Sequence, residues 1–470
     1  MDFLNIINEY WSYVLIVVLV FSAIYFTIKT HGVQFTMIGE MIKQLINSGE
    51  KKNLNGSKPN TQRKSVSSFQ AFAVSIASRV GTGNLAGVAT AIAVGGPGAV
   101  FWMWVIALLG ASNAFIESTL AQLYKIKGKD SFRGGPAYYI KYGIGNKLWA
   151  NTFAVLISIT FGLAYNSVQS NTIASAINES FGLAPWIIGI ALTIMSVSII
   201  CGSIQRISRF SEIVVPIMAL SYIILAIVIL SLNITQIPTV LKLIVTEAFS
   251  IESTIGGGLG MAMLMGIKRG LFSNEAGEGS APNVAATASV SHPVKQGLVQ
   301  TLAVYTDTLI ICTCTALIIL CSGVFDSGAD GIVLTQMAIT HEVGPIGTHF
   351  VTIAIFFFAF TSIIGNYYYG ETNIQFMTSN KWALWLYRGV VGAMVMIGAV
   401  ASLDLVWALA DITMGMMTIC NLAAILVLGK YAIILLNDYR TQKLKGYDPT
   451  YHSSTIPQIA SKTRCWELEV

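Results

Sequence analysis

Charge is what this sequence has least of. Only 11% of its 470 residues are Asp, Glu, Lys or Arg, 54% are hydrophobic, and the mean hydropathy is +0.66. A soluble domain of this length needs more charge to stay dissolved, so the composition places the chain in a bilayer that it crosses many times. Histidine and cysteine are also scarce. The five histidines are scattered, the six cysteines form no Cys-x-x-Cys, and there is no His-Glu-x-x-His run, which argues against a transition-metal site and a disulfide framework. No nucleophile stands out with a base to activate it, so an intramembrane enzyme is not expected. The net charge of +5 is dispersed among short loops and lacks the clustered, aromatic-interleaved basic face of a nucleic-acid binder. The first apolar run, Trp11 to Ile28, follows Asp2 and Glu9 rather than Lys or Arg and precedes no small-residue cleavage site; it reads as a transmembrane helix, not a signal peptide.

At about 20 residues per crossing, the apolar runs predict an all-α polytopic protein with eleven membrane helices. A peripheral helix at 11–28 precedes ten core helices: 69–93, 99–124, 149–178, 185–202, 211–232, about 256–290, 297–322, 346–377, 382–401 and 403–436. Residues 1–68 then hold the peripheral helix and a basic loop, 69–232 core helices 1–5, 233–436 core helices 6–10, and 437–470 a tail. Five is odd, so the two sets of five insert with opposite orientation, an inverted-topology repeat. Lys and Arg crowd the loops on one side, including 29–68, 125–147 and the tail, while the other side carries mostly acids. The positive-inside bias puts the N-terminus outside and the C-terminus in the cytoplasm. Short amphipathic stretches, Val240 to Phe249 and Ile332 to His341, predict interfacial helices on the outer face. The polar tail, with Pro449 and Pro457, reads as mobile.

Each repeat opens with an interruption. Arg79-Val-Gly-Thr-Gly-Asn84 breaks core helix 1 near 81–84, and Arg269-Gly-Leu-Phe-Ser-Asn-Glu-Ala-Gly-Glu-Gly279 breaks core helix 6 within 270–279, with Gly256-Gly257-Gly258 as an alternative position. In hydrocarbon each unpaired backbone group costs several kcal/mol, so such breaks persist where protein, water, substrate or ion completes the bonds. The amides of Thr82 and Gly83 open a half-helix whose positive dipole end favours a carboxylate. The carbonyls near Ala77 and Val80 are hard oxygen ligands for a small cation. One break thus suits a zwitterion and a cation side by side; a packing kink is the plainer alternative. In core helix 8, Thr361 and Ser362 either bond back to their own turn or serve a cation. Arg79, Arg269, Glu275 and Glu278 form ion pairs that either rearrange as gates or stay fixed. Glu117, Asp307 and Asp411 are further buried acids, Asp307 being a proton site or a hydrogen-bonded structural group. Asn166 and Gln169 either line the cavity or bridge helices.

Val80 to Ile92, Gly95-Gly-Pro-Gly-Ala-Val-Phe-Trp-Met-Trp104, Glu117 to Tyr124, Phe132-Arg-Gly-Gly-Pro-Ala-Tyr-Tyr139 and Arg269 to Gly277 resemble, in order, the motifs of the alanine or glycine:cation symporter family, within the amino acid-polyamine-organocation superfamily. The likeness covers nearly all of the chain except the tail. It implies a leucine-transporter-like fold and sodium-driven uptake of alanine or glycine, with Na+ as a co-transported ion. By this resemblance the substrate carboxylate falls to Thr82 and Gly83, with Asn84 alongside. Gln169 and Phe272, Ser273 and Ala276 take the amine and side-chain end. The sodium site maps to the carbonyls of Ala77, Val80 and Phe358 and the hydroxyls of Thr361 and Ser362, while Arg79 disfavours a second sodium beside Asn84. The expectation is therefore a plasma-membrane symporter in which core helices 1, 2, 6 and 7 rock against the rest. A proton-coupled transporter of the same fold is the alternative, and a channel the more distant one.

Overall fold

The computed structural model describes residues 2–47, 66–128, 131–201, 204–250 and 260–466. Seven helices among them are long and apolar enough to cross a membrane, and shorter or broken helices complete the predicted order. The peripheral helix, Asp2–Lys29, packs on core helices 2 and 10. Core helix 1 is two pieces, Ser68–Arg79 and a second that opens with a π-helical turn, Gly83–Gly87, and continues as Val88–Gly95. Its start is fixed by a capping box: Ser67 Oγ accepts from the Gln70 N–H at 3.1 Å, and the Ser67 N–H donates to Gln70 Oε1 at 3.0 Å. Core helix 2 is Ala99–Leu123, core helix 4 Pro185–Ile200, core helix 5 Ile204–Leu232, core helix 8 Ile346–Met377, core helix 9 Lys381–Val400 and core helix 10 Leu403–Leu444. Core helices 3 (147–181) and 7 (293–322) each change pitch through a π-helical segment, Thr160–Tyr165 and Tyr305–Cys312. Such segments are frequent at functional sites.

Core helix 6 departs from the expected course. It runs Met261–Asn274, leaves helical geometry over 275–280, and resumes only as Ala281–Ala285. The break thus falls in the later half of the expected 270–279 stretch, with Phe272 and Ser273 still helical, and the second piece is half the expected dozen residues or less. The reason lies in backbone geometry: Glu275, Gly277 and Gly279 all take positive φ, 55°, 94° and 86°. Two glycines make this cheap, whereas Glu275 adopts a conformation that costs an ordinary residue about 1–2 kcal/mol. The alternative break at Gly256 to Gly258 lies outside the described residues.

Three further corrections concern the ends of the molecule. The tail is not mobile through 466: core helix 10 extends to Leu444, and residues 447–466 pack back, burying Tyr451, Ile456 and Ile459. Apolar anchors at spacings too irregular for any periodicity hold it down. The basic loop contains the helix Ile38–Ile46, and the loop after core helix 2 a two-strand hairpin, Ile126–Lys127 with Phe132–Arg133; neither was expected. Of the two interfacial helices, Ile237–Glu247 does turn 103° away from core helix 5. The other, Gly331–Val343, buries one face against the protein and leaves Met337 and His341 exposed on the other. Its Thr335 Oγ1 donates to Leu85 O at 3.1 Å and Gln336 Nε2 to Ala176 O at 3.1 Å, so it is pressed onto core helices 1 and 3.

Candidate functional site at the broken helices

The break in core helix 1 arises because two amides are diverted. An uninterrupted helix would send the Gly81 N–H to Ala77 O and the Thr82 N–H to Ser78 O. Instead Gly81 N donates to Asn84 Oδ1 at 2.9 Å, and Thr82 N donates to Gln169 Oε1 at 3.0 Å, which also accepts from Thr82 Oγ1 at 2.6 Å. Ala77 O and Val80 O turn toward Ser362 Oγ of core helix 8, 3.1 and 3.4 Å away, while Phe358 O lies 3.0 Å from the same hydroxyl. A hydroxyl has one hydrogen and three carbonyls surround it, so lone pairs are left over that a small cation suits. Thr361 Oγ1 bonds Phe358 O at 2.9 Å on its own helix and adds a fifth oxygen.

Glycine is required here by close approach. A Cβ on Gly81 would strike Ser362 Oγ and stand 3.0 Å from Gln169 Oε1; a Cβ on Gly83 would stand 2.9 Å from Ser273 Cα and 3.2 Å from Phe272 Cδ1. Gly81 is thus the thin wall between the carbonyl cluster and Gln169, and Gly83 is where the two broken helices touch.

A second polar centre lies beside it. The Asp307 carboxylate, fully buried in the π-helical segment of core helix 7, accepts from Asn84 Nδ2 (2.7 Å), Ser273 Oγ (2.7 Å) and Thr308 Oγ1 (3.0 Å). All three donors are neutral. Asn84 therefore braces the break, with its oxygen on Gly81 and its amide nitrogen on Asp307. The break in core helix 6 is closed by Glu117 of core helix 2, which accepts from Gly277 N and Gly279 N, each at 3.1 Å, and from Asn421 Nδ2 at 2.8 Å. That capping role was not legible in the sequence, because nothing at 117 marks its distance to 277.

The remaining expected residues separate. Arg269 does not pair with Glu275: its guanidinium bonds Asp411 of core helix 10, which Lys268 also reaches at 2.8 Å, and lies 3.9 Å from the Trp407 ring centre. Phe272 lies between Tyr165 (4.5 Å, rings tilted at 52°) and Trp407 (4.7 Å, edge to face), so an aromatic layer and an ion cluster close one side of the break. Trp407 and Tyr165 were missed, one aromatic among many. Glu275 instead accepts from Ser78 Oγ at 3.0 Å and Ser280 Oγ at 2.5 Å, and Glu278 accepts from Tyr165 OH at 3.1 Å. Among the described residues Arg79 reaches only Gln300 O, at 3.5 Å, and its Nε and Nη2 have no hydrogen-bond partner. Ala276 sits away from the break of core helix 1, against Gly110 of core helix 2, in an apolar cluster with Ala107 and Val304. Asn166 bridges helices, accepting from Asn366 Nδ2 at 3.1 Å.

The comparisons agree with this architecture. The family described as sodium:alanine symporters matches residues 1–453. The chain is similar to GlnT of Bacillus subtilis, described as a probable sodium/glutamine symporter, at 47% identity over 97% of this chain and 94% of that one. It is likewise similar to AlsT of the same organism, an amino-acid carrier protein, at 47% over 99% and 97%. To AgcS of Methanococcus maripaludis, a sodium/alanine symporter, it is 36% identical over 91% and 95%. Among solved structures, MhsT in complex with L-phenylalanine shares the fold, with a TM-score of 0.56 at 16% identity over 80% of this chain and 96% of that chain. Seven membrane-length helices among the described residues, two further helices broken at a shared centre, and a match that spans nearly the whole sequence make this chain an integral multi-pass member of the sodium:alanine symporter family, a family of transporters rather than enzymes.

Proposed function

We propose that this protein imports a small neutral amino acid, alanine or glycine, across the plasma membrane by coupling it to inward sodium flow. The observation that carries the reading is the division of labour around Gly81. On one side an N–H and a hydroxyl of Thr82 converge on a single oxygen, that of Gln169, as they would on a carboxylate oxygen. On the other, carbonyls from two helices converge on Ser362. A substrate carboxylate would take the Thr82 donors with the Gly83 amide, and Gln169 would turn toward the amine. Sodium, the second cargo, would take the oxygens of Ala77, Val80, Phe358, Thr361 and Ser362. Because those oxygens come from core helices 1 and 8, sodium binding fixes the break that receives the carboxylate. Coupling is then a difference of affinity between states.

Phe272 and Ser273 pressed against Gly83, under the Tyr165 and Trp407 rings, favour a small side chain. With the basic loops in the cytoplasm and the N-terminus outside, the Arg269–Asp411–Lys268 cluster and its aromatic layer become the outer gate, here closed. Core helices 1, 2, 6 and 7 would rock against the rest, with residues 69–232 and 233–436 as the two repeats.

Asp307 favours a second reading, coupling to protons: a buried carboxylate with only neutral donors needs a positive charge or a proton when it is desolvated. Uptake of labelled alanine, glycine and glutamine into proteoliposomes tests both. Sodium coupling predicts accumulation under an inward sodium gradient and none when choline replaces sodium at a matched pH gradient. Accumulation in choline driven by the pH gradient alone would overturn it in favour of Asp307.

A further inference from the structure

The strap formed by residues 447–466 connects parts of the molecule that a rocking mechanism must separate. Core helix 10 ends at Leu444, and Gly446, at φ 81°, turns the chain back. Gln442 holds Thr450 from both sides, accepting from its N–H at 2.9 Å and donating to its C=O at 2.8 Å. The chain then crosses to the segment between core helices 6 and 7. There the Tyr451 N–H donates to Ser291 O at 2.8 Å, Ser291 Oγ donates to Pro449 O at 2.8 Å, and Lys295 pairs with Asp448 at 2.6 Å. Farther along, Lys462 Nζ donates to Gly143 O at 3.3 Å, and the Trp466 indole N–H donates to Gln122 O, at the end of core helix 2, at 3.1 Å.

Trp466 also covers a junction. Lys125 Nζ lies 4.7 Å from its ring and 4.2 Å from the ring of Phe132. The same ammonium donates to Ala288 O at 3.1 Å, which Gln122 Nε2 also reaches at 3.0 Å. One residue on, Ser289 N donates to Val66 O at 2.9 Å, just ahead of core helix 1. The ends of core helices 1, 2, 6 and 7 therefore meet beneath a segment that belongs to core helix 10. The family match stops at 453, so Ile456, Ile459, Lys462 and Trp466 lie beyond it.

We propose that residues 447–466 are a latch that holds the cytoplasmic side closed by tying core helix 10 to the ends of core helices 2, 6 and 7, and that it lets go at its Trp466 end when that side opens. The inference rests on the alternating-access reading above. The Tyr451 end is fastened by reciprocal hydrogen bonds and an ion pair. The Trp466 end is held by two hydrogen bonds to backbone carbonyls, from Lys462 and Trp466, and by the cation–π contacts of Lys125 with Trp466 and of Arg464 with Tyr142, interactions of about 1 kcal/mol each, and is the end that separates first. The latch thus sets how often the cytoplasmic side opens, without touching the cargo.

The test uses the full chain in inside-out vesicles, with native cysteines replaced and Ser78→Cys introduced on the first piece of core helix 1, where buried Ser78 Oγ lies 3.2 Å from Asn366 Oδ1 of core helix 8, across the boundary that opening must part. A hydrophilic maleimide should label it slowly in the full chain, and about fivefold faster or more in Trp466→Ala and in a chain lacking residues 456–470, the low end of typical conformational coupling. Equal rates in all three would overturn the latch. Sodium-driven alanine uptake in the same vesicles separates the two claims: uptake with unchanged labelling refutes the latch alone, and faster labelling without sodium-driven uptake refutes the symport reading alone.

Discussion

Replacing Ser362 by Ala removes the one side-chain oxygen that touches three carbonyls at once, Ala77 O, Val80 O and Phe358 O, at 3.0–3.4 Å. If these oxygens bind sodium, the substitution deletes one ligand of five. An interaction of a polar group with a charge is worth about 1.5–3 kcal/mol, and 1.4 kcal/mol is a factor of ten, so the sodium concentration for half-maximal uptake should rise about 10- to 100-fold. Thr361→Ala should move it in the same direction. A second readout separates ligation from packing. Sodium should stabilise the wild-type protein against thermal unfolding in proportion to the logarithm of its concentration above the dissociation constant, and in Ser362→Ala that rise should begin at correspondingly higher sodium. A purely structural hydroxyl would lower the melting temperature by the same amount at every sodium concentration. Half-maximal sodium within twofold of wild type in both variants would refute the assignment.

Gly81→Ala should abolish substrate binding and sodium-dependent stabilisation together, since its methyl would enter both Ser362 and Gln169; ligand-shifted melting of the purified variant checks this. Asp411→Asn leaves Lys268 and Arg269 facing each other without their counter-charge, which typically costs 3–5 kcal/mol. It should cut uptake at least about tenfold, and Arg269→Gln in the same chain should restore part of it. Glu117→Gln places a donor against the Gly277 or Gly279 N–H and should destabilise the protein by about 1–3 kcal/mol, measurable as a fall in melting temperature without a change in sodium dependence. His292, at the foot of the strap, faces Asp438, Lys295, Tyr439 and Tyr451; burial pulls its pKa below the ordinary 6.5 despite the Asp438 carboxylate. A form in which the Tyr451 end is released as well then binds more protons than the docked one as pH falls below 6.5, so the fastening of that end is full above that pH and weakens beneath it. Maleimide labelling at Ser78→Cys should accelerate in that window, and His292→Gln should flatten the response.

How much could be read from the residues follows the range of the interactions. The break at Gly81 to Asn84 was legible because glycines and polar residues inside an apolar run survive in lipid only where something completes the freed backbone bonds. Thr361 and Ser362 gained meaning only through the family resemblance, since taken alone such hydroxyls bond back to their own helix, as Thr361 does. The Arg269 pairing was misread because Glu275 is near in sequence, whereas Asp411, on the last core helix, is near in space. The strap was missed for a related reason: its anchors, Tyr451, Ile456, Ile459 and Trp466, follow no helical or strand period. They show only against the loops they cover.

The central claim is that one interruption in core helix 1 holds an amino-acid carboxylate and a sodium ion together. Titration of alanine into the purified protein across a range of sodium concentrations, with choline maintaining ionic strength, measures that coupling directly. The account predicts that alanine affinity rises with sodium and, reciprocally, that sodium affinity rises by the same factor with alanine. Alanine binding of equal strength in sodium and in choline would contradict it.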